Sequence, residues 1–186
     1  MARLIRPQRI LDERGWFAET YNAARFAALG IDTAFCQDNH VRSRAAGTLR
    51  GLHFQRPPHG QAKLARCVRG RVWDVAVDVR SGSPTYGQWV AAELSAENAL
   101  QMFVPIGFAH GYLTLEADSE VEYKVSAFHA PDFEGGLIWN DPTLALPWPL
   151  PAGAPILSEK DRRLPRLNAF ESPFDYDGRP LAPLDA

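Results

Sequence analysis

The sequence predicts an all-β fold, a sandwich or barrel of short antiparallel strands. Short β-branched and aromatic runs follow one another at close spacing: Lys63 to Val68, Val72 to Arg80, Trp89 to Leu94, Gln101 to Val104, Gly111 to Leu115 and Val121 to Phe128. Turn residues separate them, which favours a sandwich or barrel over βαβ units. Val72 to Arg80 alternates strongly, with Trp73, Val75, Val77 and Val79 on one face and Val72, Asp74, Ala76 and Asp78 on the other. Only Ala23 to Leu29 reads clearly as helix, with Gly30 placed as its C′ residue.

Taken in order, residues 3–11 alternate weakly and predict one short strand. Asp12-Glu13-Arg14-Gly15 is a turn signal, followed by Trp16 to Thr20 and the short helix. Phe35 to His40 and Thr48 to Gln55 read as strands, with 43–47 a loop between them. Arg69-Gly70 turns the chain between two strands, and Ser81-Gly82-Ser83-Pro84 ends another. Beyond Asp141 the text becomes proline-rich, a composition that disfavours helix interiors and central strands. Ser158 to Asp161 is the one helical turn expected there, with Ser158 able to cap it. Residues 165–186 read as a wrapping or frayed tail. No linker divides the chain, so 1–186 is expected to be one domain.

The 186 residues are enough for one domain with a sizeable core. The formal net charge is −2, which argues against nucleic acid as a partner and requires any anion site to be built locally. Cys36 and Cys67 have no CxxC spacing and read as reduced thiols. No run approaches the ~20 apolar residues of a membrane span, and the N-terminus lacks a signal-peptide core. The expectation is a cytoplasmic, soluble protein.

Chemistry concentrates in Leu49-Arg50-Gly51-Leu52-His53-Phe54-Gln55, where an imidazole and a guanidinium sit in an apolar strand. Histidine exchanges protons near neutral pH, and arginine suits anionic oxygens. Arg50 and His53 are three apart, so a regular strand would point them to opposite faces. Either the strand bulges at Gly51, or Arg50 serves a neighbouring site or an interface. In Val121 to Val125 the alternation puts Tyr123 on the apolar, inward face. Taken singly, these residues have ordinary readings. His53 fits a core histidine, Tyr123 a packed aromatic, Lys63 a surface lysine, and Asp161 a carboxylate at a helix start. His40, His59 and His129 read as surface residues, and Cys67 as packing.

Pro105-Ile106-Gly107-Phe108-Ala109-His110 has the form of the second motif of cupin barrels. The His-x-His pair of the first cupin metal motif is missing, so no metal is expected. The whole set resembles the dTDP-4-dehydrorhamnose 3,5-epimerases. It comprises Asp12 to Gly15 with Glu19, Gln37-Asp38-Asn39-His40, Leu49 to Gln55, Lys63 to Cys67, Trp73 to Asp78, Leu94 to Asn98, Gly107 to Gly111, Glu122-Tyr123-Lys124, Leu137 to Pro142 and Leu157 to Asp161, in order over about 3–166.

The resemblance implies a cupin-type jelly-roll barrel with a short N-terminal helix and a few C-terminal helical turns. It also implies cofactor-free epimerisation of a thymidine-diphosphate-linked 4-keto-6-deoxy sugar. In that reading His53 is the base, Asp161 its carboxylate partner, Lys63 the counter-charge for the enolate and Tyr123 the acid. Substrate binding falls to Arg14, Glu19, Gln37, Asp38, Asn39, Arg50, Lys63, His110, Glu134 and Lys160. The resemblance further implies a homodimer in which the N-terminal segment crosses over, so that Arg14 and Glu19 serve the partner's site; unpaired with a partner, those two would simply pair with each other. The alternatives are a mono-epimerase acting at C3 or C5, and a non-catalytic sugar-nucleotide-binding cupin. The presence of both a base and an acid argues against the last, and the missing His-x-His against a metal-dependent oxygenase.

Overall fold

The computed structural model describes residues 1–151 and 153–184. Its strands are β1 (Arg3–Ile5), β2 (Arg9–Asp12), β3 (Gly15–Ala18), β4 (Gln37–Ser43), β5 (Leu49–Gln55), β6 (Lys63–Arg69), β7 (Arg71–Asp78), β8 (Trp89–Ser95), β9 (Gln101–Val104), β10 (Phe108–Thr114), β11 (Ser119–Val125) and β12 (Glu134–Gly136). One five-stranded sheet runs β1-β9-β6-β11-β4, a second β12-β5-β10-β7-β8, and β2 pairs with β3 apart from both. Every pairing between these strands is antiparallel. This is the barrel that the strand spacing predicts and the jelly roll that the resemblance implies. Among the described residues no helix is long and apolar enough to cross a membrane.

Both faces of the second sheet are buried around β7, which explains why that strand carries apolar residues on both of its faces. Val72 and Ala76 turn inward to meet Met102, Val104, Cys67 and Val121 of the first sheet. Val75 and Val77 turn outward under Leu137, Leu144, Leu167 and Phe174. Burying one such aliphatic side chain contributes about 1.5–3 kcal/mol relative to exposure. The proline-rich segment is therefore a third layer. Among the described residues it forms no extended strand, Ile156 making an isolated parallel bridge with Thr48, and buried Asp141 satisfies part of its backbone by accepting from Thr143 N at 2.7 Å and Leu167 N at 2.6 Å. The tail wraps rather than frays through residue 184. Asp175 bridges Ser81, Phe174 is buried, and Asp177 meets the buried Arg80 guanidinium at 2.5 Å. Residues 185 and 186 of the expected tail lie outside the described residues.

The helix α1 (Ala23–Ala28) is capped by Asn22, whose side chain accepts from Ala24 N and Arg25 N. It ends in a Schellman arrangement: Gly30 at φ +76° gives its N–H to Ala27 O, and Ile31 gives its N–H to Phe26 O. Phe26 and Ile31 then pack with Leu64 and Phe103 on the outer face of the first sheet.

Four boundaries differ from expectation. The single strand over 3–11 is two, because Pro7 interrupts it, and the halves join different sheets. β4 starts at Gln37 and runs into the expected loop, to Ser43. β10 begins three residues early, immediately after Gly107 turns at φ +87°. β12 carries no strand signal, since two of its three residues are glycine. It exists by pairing with β5.

Candidate active site

β5 supplies the floor of the site. On β10, His110 pairs with His53 and Tyr112 with Arg50, so two steps on β10 match three on β5. The extra residue is a bulge, and it turns Arg50 and His53 to the same side as His110 and Tyr112. Gly51 sits in it at φ +125°, and a Cβ there would meet Gly111 Cα at 2.6 Å and His110 O at 2.8 Å. The peptide that follows, Gly51–Leu52, is cis. The bend that a shared site requires is present.

Asp161 reaches His53 from 108 residues away. Ser158 Oγ accepts the Asp161 N–H at 3.1 Å, starting the 3₁₀ turn Asp161–Arg163, and this fixes the carboxylate against β5. His53 Nε2 stands 2.5 Å from Asp161 Oδ1, the imidazole 30% exposed and the carboxylate 4%. Burial works against the carboxylate's charge, but the hydrogen bond from His53, its coulombic attraction and the Ser158 hydroxyl outweigh it and lower the pKa. With Nε2–H donated to Asp161, Nδ1 carries the lone pair.

His53, Lys63, Tyr123, Gln37, Asn39 and Glu134 line one cavity of about 250 Å³ between the sheets. Lys63, from β6, is buried and donates to His53 O at 3.3 Å. Burial lowers its pKa to about 8, although Asp74 and Glu134 pull it back up. Tyr123 comes from β11 on the opposite sheet to His53. Burial raises its pKa, and the Arg50 charge opposes that rise. Glu134 is desolvated, yet hydrogen bonds from Lys160 and His129 hold its carboxyl below the usual range. A base, an ammonium and a phenol thus surround a space open to a small ligand. That arrangement suits removing a proton beside a carbonyl and returning one from the other side.

Other expected residues lie elsewhere. Alternation along β4 turns Gln37 and Asn39 inward but Asp38 outward, where it pairs with Lys124 at 2.9 Å. His110 is not at the cavity wall. It is buried one strand over, with Nε2 at 2.9 and 3.0 Å from the two oxygens of Asp74. Arg50 faces the interior and donates to Ser43 Oγ at 3.2 Å, and its charge reaches Tyr123 although it is not among the residues lining the cavity. Lys160 joins the site through Glu134. Arg14 and Glu19 do not pair with each other: Arg14 pairs with Asp12 in the β2–β3 turn, and Glu19 with Arg25. Neither lines the cavity. Cys67 is inert packing, its thiol pushed up to about 11 by burial.

Two further residues belong to the surroundings and were not expected. His129, read as a surface histidine, is exposed but lines the cavity beside Glu134. Asp74 is fully buried under His110. Asp74 had a signal, since an acid on the inward face of β7 needs a partner. His129 had none, because it lies in a loop placed only by the tertiary fold.

A family model for dTDP-4-dehydrorhamnose 3,5-epimerase matches residues 2–169. The dTDP-4-dehydrorhamnose 3,5-epimerase of Pseudomonas aeruginosa is 52% identical over 161 residues, covering 86% of this chain and 87% of that one. The Sinorhizobium fredii protein of the same name is 48% identical over 174 residues, covering 94% and 89%. The crystal structure of dTDP-6-deoxy-D-glucose-3,5-epimerase from Legionella pneumophila, in complex with dTDP-4-keto-L-rhamnose, superposes with a TM-score of 0.87. It is 44% identical and covers 91% of this chain and 89% of that one.

Proposed function

The chain belongs to the dTDP-4-dehydrorhamnose 3,5-epimerase family, and on that premise we propose how its own residues carry the reaction. The activity is isomerisation of a sugar nucleotide: dTDP-4-dehydro-6-deoxy-D-glucose is epimerised at C3 and C5 to dTDP-4-dehydro-L-rhamnose. One observation carries the residue assignment: His53 with its Asp161 partner and Tyr123 approach a single cavity from opposite sheets, with Lys63 lining the same cavity.

His53 removes the proton from the carbon next to the ketone. The C–H electron pair moves into an enolate whose oxygen faces the Lys63 ammonium. Asp161 orients the ring and stabilises the imidazolium that forms. Tyr123 then donates its phenolic proton to the opposite face of the same carbon, inverting it. His53 returns its proton to water and the tyrosinate takes one back, so the cycle is neutral overall. A positioned base contributes about 10²–10⁴-fold, and an ammonium at a developing oxyanion about 3–4 kcal/mol. Gln37, Asn39 and Glu134 hold the sugar.

Incubation with the 4-keto-6-deoxy nucleotide sugar in D₂O tests this by NMR. Deuterium is expected at both C3 and C5. Label at one carbon would identify a mono-epimerase, and binding without label would defeat the enzymatic reading.

We further propose a homodimer in which the β2–β3 hairpin docks on a second copy and presents Arg14 and Glu19 to that copy's site. Ile10, Leu11, Trp16 and Phe17 are 55–78% exposed on both faces of the hairpin, and an isolated two-stranded ribbon is marginal in water. Leu11→Glu with Phe17→Glu is expected to give a monomer in sedimentation. A variant that stays dimeric would remove the hairpin from the interface.

A further inference from the structure

Tyr112 lies on β10 at the inner side of the site. It pairs with Arg50 on β5 and with Asp74 on β7, and it is 5% exposed. Its ring belongs to the packing between the sheets with Val72, Met102, Cys67 and Val121, and Tyr123 packs against the same cluster from the opposite sheet. The Tyr112 hydroxyl has no hydrogen-bond partner among the described residues. Arg9 Nε and Gln101 Oε1 share that condition, but their side chains are bonded through other atoms: Arg9 donates to Glu97 O and Ala96 O, and Gln101 to Thr20 O. Tyr112 has one polar atom, and it is unpaired.

A phenylalanine would fill nearly the same space. A buried hydroxyl left unpaired lowers stability, so its presence calls for a reason in function. The proposed reaction creates three charges. Lys63 faces the enolate and Asp161 faces the imidazolium. The third is the Tyr123 phenolate, formed between the sheets when Tyr123 gives its proton to carbon. Arg50 is the cation on that side: among the described residues only its Nε is engaged, by Ser43 Oγ. Its charge opposes the rise that burial imposes on the pKa of both Tyr112 and Tyr123. Because burial raises its pKa, Tyr112 keeps its proton at neutral pH. Its hydroxyl is then a donor with no acceptor to hold it. An O–H free to rotate turns toward a new negative charge, and a dipole aimed where charge develops is most effective away from water.

We propose that Tyr112 is a positioning residue for the acid half of the reaction, its hydroxyl turning toward the Tyr123 oxygen as that oxygen becomes a phenolate, with Arg50 as the counter-charge. This rests on the epimerase reading above and adds a residue to it. The balance of the cycle is unchanged. The O–H bond of Tyr123 breaks as the new C–H bond forms, the O–H bond of Tyr112 stays intact, and the phenolate takes its next proton from water.

The test uses Tyr112→Phe, which removes the hydroxyl and keeps the ring. In D₂O the enolate has two exits. Return from His53 gives recovered substrate that is labelled but not inverted, and delivery from Tyr123 gives inverted product. NMR reads both. In Tyr112→Phe, product formation is expected to fall roughly tenfold relative to label in recovered substrate, the effect of losing one hydrogen bond to a charged group. The thermal midpoint should equal or exceed that of wild type, since the unpaired hydroxyl is gone. On a Tyr123→Phe background the same substitution should change neither exit. An unchanged ratio in Tyr112→Phe would overturn the proposal while leaving the epimerase reading intact. So would an equal fall on the Tyr123→Phe background, or a lowered midpoint with both exits slowed alike, either of which would make the role structural. A wild type that labels neither carbon would sink the reading and the proposal together.

Discussion

His53 and His110 are cross-strand neighbours on β5 and β10, and each has a carboxylate within hydrogen-bond reach. Asp74, the partner of His110, comes from the adjacent strand β7, and the pair is 7% and 0% exposed. Asp161, the partner of His53, comes from the irregular C-terminal layer, and its imidazole is 30% open to the cavity. The two pairs share residue types and differ in access. A histidine sealed on all sides can only hold its neighbours in place, while one with an open ring nitrogen can exchange a proton with a ligand.

The sharpest way to break this contrast is His53→Ala. Deuterium wash-in at C3 and C5 is expected to fall by about 10²–10⁴-fold when measured well below the thermal midpoint, which also drops because the buried Asp161 carboxylate loses its partner. Near wild-type exchange would show that the open pair is not the base. Next in size is Asp74→Asn. Breaking a buried pair costs about 3–5 kcal/mol, visible as a lower urea midpoint at unchanged slope, whereas Asp161→Asn should cost clearly less stability and far more turnover. The comparison fails if the two variants lose stability equally.

The smallest effects are in pH. Lys63 is charged below about 8 and neutral above it, so kcat/KM is expected to decline as pH rises through about 8. A flat alkaline limb would remove Lys63 as the enolate's counter-charge. Asp161 has a folded-state pKa below its unfolded value. Its contribution to stability is therefore full above the usual carboxylate range and is lost as pH falls through the lower folded value. Acid unfolding of Asp161→Asn should accordingly lack part of the wild-type dependence.

Much of the barrel was legible locally. Period-two alternation and turn residues marked β5 to β11, and Asn22 to Ile31 wrote a complete capped helix. β12 was not, since a glycine-rich triplet is a strand only when β5 is beside it. The same holds for the two-sided burial of β7, which depends on a proline-rich layer with no regular pattern of its own. In the site, alternation placed Tyr123 inward. It also turns Asp38 outward, where the motif Gln37-Asp38-Asn39 suggested three equivalent residues.

By itself the sequence determined the residue types, the strand periodicity, and the requirement that Gly51 permit a bulge if Arg50 and His53 were to share a face. Those are local matters, set by sterics and hydrogen-bond period. Only the tertiary structure decided which of two histidines is open, that Asp161 rather than a nearer acid stands against it, and that His129 lines the cavity. Burial and partner distance are properties of the packed layers, and no window of the chain contains them.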